Sequence, residues 1–139
     1  MGGEANQVLW RGVQPVAGIA GVWPARDATR VNEAQPQDGV GIIQLKIAPA
    51  GKKFFLSSGI LSSALRDAES CNVSMYVIDD EDVMVYALLR HSYYIAGHQS
   101  TSFMFMPALE VPVGYRVMLY VQHAKLKAYA SIFGWQEDV

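Results

Sequence analysis

Apolar and polar residues alternate in short runs along most of the chain, with a period of two. Gly41–Ile47 sets Ile43, Leu45 and Ile47 against Gln44 and Lys46, the pattern of a half-buried strand. Pro49-Ala50-Gly51 reads as a turn, and Lys53–Ser58 follows with Phe54 and Leu56 on one face. Gly59–Leu65 is less regular and fits either a bent strand or a single helical turn, and Asp67–Asn72 reads as a loop. Val73–Ile78 places Val73, Met75 and Val77 opposite Ser74, Tyr76 and Ile78. Val83–Leu89 resumes directly after Asp79-Asp80-Glu81-Asp82, so two strands joined by a short polar loop predict a hairpin. Because Val83–Leu89 is apolar on both faces, it is expected centrally in a sheet or at a subunit interface.

His91–Ser100 reads as a loop with room for brief pairing at its middle, and Thr101–Met106 carries Phe103 and Phe105 on one face and Met104 and Met106 on the other. Pro112-Val113-Gly114 turns the chain into Tyr115–Val121, the polar break His123-Ala124-Lys125 reverses it, and Leu126–Trp135 completes a second predicted hairpin. About eight strands, with no convincing amphipathic helix and no fixed repeat, predict an all-β protein. The expected architecture is an antiparallel β-sandwich, jelly-roll- or Greek-key-like.

The first 39 residues break this rhythm. Val8–Val13 and Val16–Trp23 are apolar pieces without a strand or helix period, separated by Pro and Gly, and cannot form a core of their own. Polar linkers usually lack tryptophan, so Trp10 and Trp23 imply that this segment lies extended on a surface, either of its own domain or of a neighbour. Leu9, Trp10, Val13, Ile19, Val22 and Trp23 are its candidate contact residues. Ala25–Gly39 is polar, with Pro36 and an Asp-Gly step, and reads as a linker or long loop. The expected organisation is an extended N-terminal arm and linker over residues 1–39 and a sandwich domain over 40–139.

Composition sharpens the expectation of association. A chain of 139 residues holds one core, yet 51% of it is apolar and only 17% charged, against about a quarter charged in ordinary soluble domains. The strands Val83–Leu89, Tyr115–Val121 and Leu126–Phe133 are apolar on both faces, whereas a two-layer sandwich buries one face of each sheet. Tyr86, Leu88, Met118, Tyr120, Tyr129 and Phe133 are therefore candidates for an oligomer interface, where aromatic and Met side chains are enriched. A net charge of −2 without a basic stripe argues against nucleic acid as a partner. No run approaches the ~18 apolar residues of a membrane-spanning helix. With Glu4 near the start and Pro15 and Pro24 around the apolar patch, no targeting segment is expected.

Candidate chemistry adds little. Asp79–Asp82 lacks the spacing and central Gly of a calcium loop and reads as a solvated tip. His91, His98 and His123 do not match short zinc-ligand spacings, so no metal site is expected. Gly51-Lys52-Lys53 is no phosphate loop, and Ser57, Ser58, Ser62 and Ser63 form no nucleophile elbow. Cys71 reads as a small buried apolar residue. No cofactor and no enzymatic activity are expected. The loop aromatics leave a different possibility open, a ligand surface made by His91, Tyr93, Tyr94 and His98 on which sugar rings could stack.

Three phrases carry a resemblance: Pro-Ala-Gly-Lys-Lys-Phe-Phe-Leu at Pro49–Leu56, Pro-Val-Gly-Tyr-Arg-Val at Pro112–Val117, and the ending Phe133-Gly134-Trp135-Gln136-Glu137. The region from Val40 to Glu137 resembles the small β-sandwich domains of tailed-bacteriophage virion proteins. The arm beginning Leu9-Trp10-Arg11-Gly12-Val13-Gln14-Pro15 ahead of such a domain resembles capsid decoration, or cement, proteins. The resemblance implies a homotrimer on the outer capsid surface whose arm reaches neighbouring subunits of the major capsid protein. Tail-fibre and receptor-binding domains use similar sandwiches, so a carbohydrate- or receptor-binding module of a phage tail is the alternative it leaves.

Overall fold

A computed structural model describes residues 21–67 and 70–139. Among these, eight strands follow in order: β1 Thr29–Asp38, β2 Gly41–Ile47, β3 Lys52–Leu65, β4 Cys71–Ile78, β5 Met84–Tyr93, β6 Gly97–Val111, β7 Arg116–Val121 and β8 Leu126–Asp138. They form two antiparallel four-stranded sheets, ordered β1-β8-β3-β6 and β2-β7-β4-β5. Consecutive strands alternate between the sheets except at the β4–β5 hairpin, and that order is the eight-stranded jelly roll with two Greek keys.

The core lies between the sheets and is filled by the inward residues of the central strands. Val73, Met75 and Val77 of β4 and Val117, Leu119 and Val121 of β7 face Phe54, Leu56 and Leu61 of β3 and Leu126, Ala130 and Ile132 of β8, all at most 2% exposed. The phase of β3 changes within the strand: Phe54 and Leu56 point inward, then Leu61, Ser63 and Leu65 do. A register shift between Leu56 and Ser58, present against both β6 and β8, supplies the extra residue that moves the alternation from even to odd positions. The irregular pattern of Gly59–Leu65 is thus a bulged strand, not a helical turn.

Gly134 sits where β8 crosses this bulge. A Cβ there would lie 1.9 Å from the Phe55 carbonyl oxygen, so the close approach of the two backbones requires glycine.

Several expectations are corrected. Thr29–Asp38, expected within a linker, is an edge strand paired with β8 along its whole length. It looked like a linker because Val31 alone reaches the core, while its ladder comes from the β8 backbone and Pro36 is tolerated on an edge. His91–Ser100, expected as a loop, belongs mostly to β5 and β6, which leaves Tyr94–Ala96 as the connection. Asp67–Asn72 likewise ends in strand, since β4 begins at Cys71.

The predicted closing hairpin does not form: β7 and β8 lie in different sheets, and His123-Ala124-Lys125 carries the chain across the sandwich. Each strand is central in its own sheet, so both of its edges are already paired. The β4–β5 hairpin does form, but β5 is an edge strand and not a central one. Met84, Val85 and Tyr86 are consequently exposed by 60%, 47% and 42%.

Candidate functional site

Strand register defines what each outer face presents. On the sheet β1-β8-β3-β6, residues aligned across the four strands form rows perpendicular to the chain direction. The outermost rows are Arg30–Trp135–Phe55–Glu110 and Asp38–Lys127–Ala64–His98, which hold the charges. Between them lie Asn32–Phe133–Ser58–Met104, then Ala34–Ser131–Ile60–Ser102, then Pro36–Tyr129–Ser62–Ser100. These three rows contain no ionisable acid or base apart from the Tyr129 phenol, and Met104, Tyr129 and Ile60 are 76%, 52% and 44% exposed. Small Ser and Ala side chains stand between the larger ones. Soluble surfaces normally intersperse charges, and an uncharged face with exposed apolar groups is the chemistry of a contact surface.

The N-terminal segment enters at one corner of this face. The Gly21 carbonyl accepts from the Ala108 amide, and the Ala25 amide donates to Glu137 Oε2 at 2.8 Å. Beneath them Phe55 stacks on Trp135, ring centroids 5.5 Å apart, in a small outer cluster with Ala108 and Ala28. A recess of about 160 Å³ opens between Val22, Ser57, Ser58, Met104 and Trp135. Val22 is half-buried there and Trp23 is 63% exposed. Leu9, Trp10, Val13 and Ile19 lie outside the described residues.

The oligomer-interface candidates do not share one surface. Tyr129 and Phe133 lie on the face just described, whereas Met118 and Tyr120 lie on the outer face of the other sheet. Tyr86 is on the edge strand, where its ring meets Phe105 edge-on at 5.6 Å, and Leu88 packs against the core. Met118 is 7% exposed, so it offers little to a partner.

The candidate ligand residues separate as well, which corrects that expectation. His91 and Tyr93 are each 3% exposed and point into the sandwich, because the strand they occupy alternates inward at these positions, while Tyr94 at 78% and His98 face solvent. His91 and Tyr93 instead form a buried polar cluster with Ser63. The Ser63 hydroxyl lies 2.9 Å from His91 Nδ1 and 2.7 Å from the Tyr93 hydroxyl, and the Tyr93 hydroxyl donates to the Ser63 carbonyl at 2.9 Å.

One proton per hydroxyl fixes the roles. Tyr93 donates to the carbonyl, Ser63 donates to the Tyr93 oxygen, and His91 carries its proton on Nδ1 and donates it to Ser63. His91 Nε2 is then a bare, buried acceptor without a partner. Burial holds the His91 imidazole below its usual 6.5, and a proton on Nε2 would find no acceptor either. Since β3 and β5 belong to different sheets, the cluster ties the two layers together.

The outer face of the second sheet carries a groove of about 470 Å³. Register explains it: Tyr120 and Arg90 flank Ser74 across three strands, while Asn72 and Tyr76 stand before and after it along β4. One small residue surrounded by four large ones leaves a depression. Asn72 Oδ1 accepts from Arg90 Nε at 3.3 Å and from the Ser92 hydroxyl at 3.0 Å, and Gln122 Oε1 accepts from the Asn72 amide at 2.6 Å. Burial, with Tyr120 adjacent, pushes the Tyr76 phenol above its usual 10.0. Asn72 falls in a stretch expected as a loop, and only cross-strand register brings Ser74, Arg90 and Gln122 together, so no local pattern in the sequence marks this site.

The acidic tip is built as a turn. Asp79 Oδ1 accepts from the amides of Glu81 and Val83 at 2.8 and 2.9 Å, and Asp82 adopts a left-handed backbone and contacts Arg116. Among the described residues no group of three or more His, Cys, Asp or Glu is placed to hold a metal ion, and no helix is long and apolar enough to cross a membrane. Cys71 is buried, as expected of a small core residue.

No protein-family model and no curated protein sequence matches the chain. Among solved structures, the coat protein of Tobacco streak virus is similar at 10% identity and TM-score 0.38, over 84% of this chain and 91% of that one. The capsid asymmetric unit of cyanophage Pam1 is similar at 10% identity and TM-score 0.40, over 78% and 84%. A carbohydrate-binding module in complex with calcium and xylotriose is similar at 11% identity and TM-score 0.33, over 80% and 99%. Overlays this loose transfer no site, and the fold assignment rests on strand order and register.

Proposed function

We propose that the protein is a structural virion component of the capsid decoration, or cement, type, non-enzymatic, which associates as a homotrimer on the outer shell. The observation that carries this reading is the uncharged middle of the outer face of the sheet β1-β8-β3-β6, with Ile60, Met104 and Tyr129 exposed on it. Packing this face against a second copy removes apolar surface from water without desolvating a charge. The jelly-roll order agrees with the reading, although that architecture also serves lectins and other proteins and decides nothing by itself.

In the same reading the N-terminal arm, through Leu9, Trp10, Val13, Ile19, Val22 and Trp23, reaches subunits of the major capsid protein. Trp23 supports this, since it is exposed at the point where the chain leaves the sandwich. A ligand that binds the closed shell and not its loosened form stabilises the shell by mass action. The alternative, a carbohydrate- or receptor-binding module of a phage tail, loses the loop surface expected for it, because His91 and Tyr93 are buried.

Solution mass tests the association. The expected value is three times the 15.3 kDa of the chain, reduced to one by Ile60→Lys with Tyr129→Lys while the circular dichroism of the sandwich is kept. A monomeric wild-type protein at tens of micromolar overturns it. Removing residues 1–20 tests the arm separately: the oligomer is expected to survive and shell binding to be lost, and unchanged binding to the shell refutes the arm's role. The cut spares β1, which belongs to the sandwich.

A further inference from the structure

The groove on the outer face of the sheet β2-β7-β4-β5 lies on the opposite side of the sandwich from the proposed association face, and its chemistry differs. Its floor is the small Ser74, and its walls are two phenol rings, Tyr76 and Tyr120, facing the guanidinium of Arg90. Asn72 takes Arg90 Nε, which orients the guanidinium and leaves both terminal nitrogens without a partner among the described residues. Ser92 also donates to Asn72 Oδ1, and the Asn72 backbone amide holds Gln122 Oε1, so the polar side of the groove is fixed before any ligand arrives. No carboxylate lines the groove, and Arg90 is the one charge in it.

We propose that this groove binds an acidic sugar, a pyranose bearing a carboxylate within an oligosaccharide. The apolar face of a pyranose stacks on a tyrosine ring, a carboxylate accepts two parallel hydrogen bonds from a guanidinium, and the phenol, serine and amide groups serve ring hydroxyls. A neutral sugar leaves Arg90 unanswered, and a phosphate lacks the ring that two tyrosines would cover. The site goes beyond the proposed assembly role and stands on the other sheet, so either can fail alone.

The test titrates the full-length protein, by calorimetry and by chemical-shift changes of the groove amides, with oligomers of galacturonate, mannuronate and glucuronate and with their neutral methyl esters. At least one acid oligomer is expected to bind with a Kd below about 1 mM, a few kcal/mol of affinity. Its methyl ester, and the Arg90→Gln protein, are expected to bind at least tenfold more weakly. Ser74→Tyr fills the depression from a solvent-facing position and is expected to abolish binding with the thermal midpoint unchanged, which separates loss of the site from loss of the fold. No binding by any acid oligomer at 10 mM, equal binding of acid and ester, or binding unaffected by both substitutions overturns the proposal.

Discussion

Ser63 is the hub of the polar cluster that joins the two sheets, and replacing it is the sharpest probe of the core. Ser63→Ala removes the acceptor of His91 Nδ1–H and the donor to the Tyr93 oxygen together, and leaves Tyr93 its bond to the Ser63 carbonyl. His91 then has two ring nitrogens buried without a partner, because Nε2 has none to begin with. An unsatisfied buried donor costs about 1–3 kcal/mol, so Ser63→Ala is expected to lose about 2 kcal/mol or more. Tyr93→Phe keeps the His91–Ser63 bond, strands only the Ser63 proton, and leaves a carbonyl already engaged in the ladder. Its expected cost is about 1 kcal/mol.

The double variant is expected to show a coupling of about 1 kcal/mol, since the two substitutions break one shared bond. Urea unfolding followed by both far-ultraviolet circular dichroism and tryptophan fluorescence measures this, at one fixed protein concentration so that any oligomer contributes equally. With a slope of about 2 kcal/mol per molar, Ser63→Ala moves the midpoint down by about 1 M at unchanged slope. A larger loss in Tyr93→Phe than in Ser63→Ala, or additivity within about 0.3 kcal/mol, refutes the proton assignment.

Acid is expected to weaken the fold through His91. Its folded value is lowered by burial, so the unfolded chain takes up the proton first; stability is full above pH 6.5 and falls progressively as pH drops from there toward the lowered folded value. Thermal midpoints between pH 7.5 and 5 should show this slope, and His91→Gln should flatten it. Gly134→Ala places a methyl 1.9 Å from a backbone carbonyl that no rotamer can relieve, and is expected to lower stability by about 3 kcal/mol in urea, at the upper end for overpacking. Asp79→Ala removes the acceptor of two turn amides and is expected to cost about 1 kcal/mol, whereas Asp80→Ala, at the same exposed tip, stays within about 0.5 kcal/mol.

The residues that were legible in the sequence are those whose partner is water on one side and core on the other. Val73, Met75 and Val77 alternate with Ser74 and Tyr76, and β4 lies where that alternation puts it. The β4–β5 hairpin was legible because a four-residue acidic tip has no core role to play. Two kinds of element were not. An edge strand such as β1 takes its hydrogen bonds from a neighbour and needs one buried residue, so Thr29–Asp38 carries almost no hydrophobic signal. A strand with a bulge, such as β3, carries two half-patterns of opposite phase that cancel when read as one. The candidate surfaces failed for a third reason. His91 and Tyr93 occupy positions whose inward direction depends on β5 continuing past Leu89, and nothing local in His91-Ser92-Tyr93 marks that continuation.

The step from β7 to β8 decides how the excess of apolar residues is distributed. Had the two strands formed a hairpin, their outward residues, Met118 and Tyr120 with Tyr129 and Phe133, would have shared one face and made one large contact surface. The jelly-roll crossing puts them on opposite sides of the molecule. Tyr129 and Phe133 then sit among Ser, Ala and Ile with no charge in their own rows, while Tyr120 sits across from Arg90 with Ser74 between them. The first environment favours a protein surface, since closing it desolvates no charge. The second resists the same closure, because an arginine with two unengaged nitrogens must be matched by an acceptor before water leaves. One crossing connection thus gives the sandwich two faces of different use, and substitutions on one are expected to leave the binding behaviour of the other unchanged.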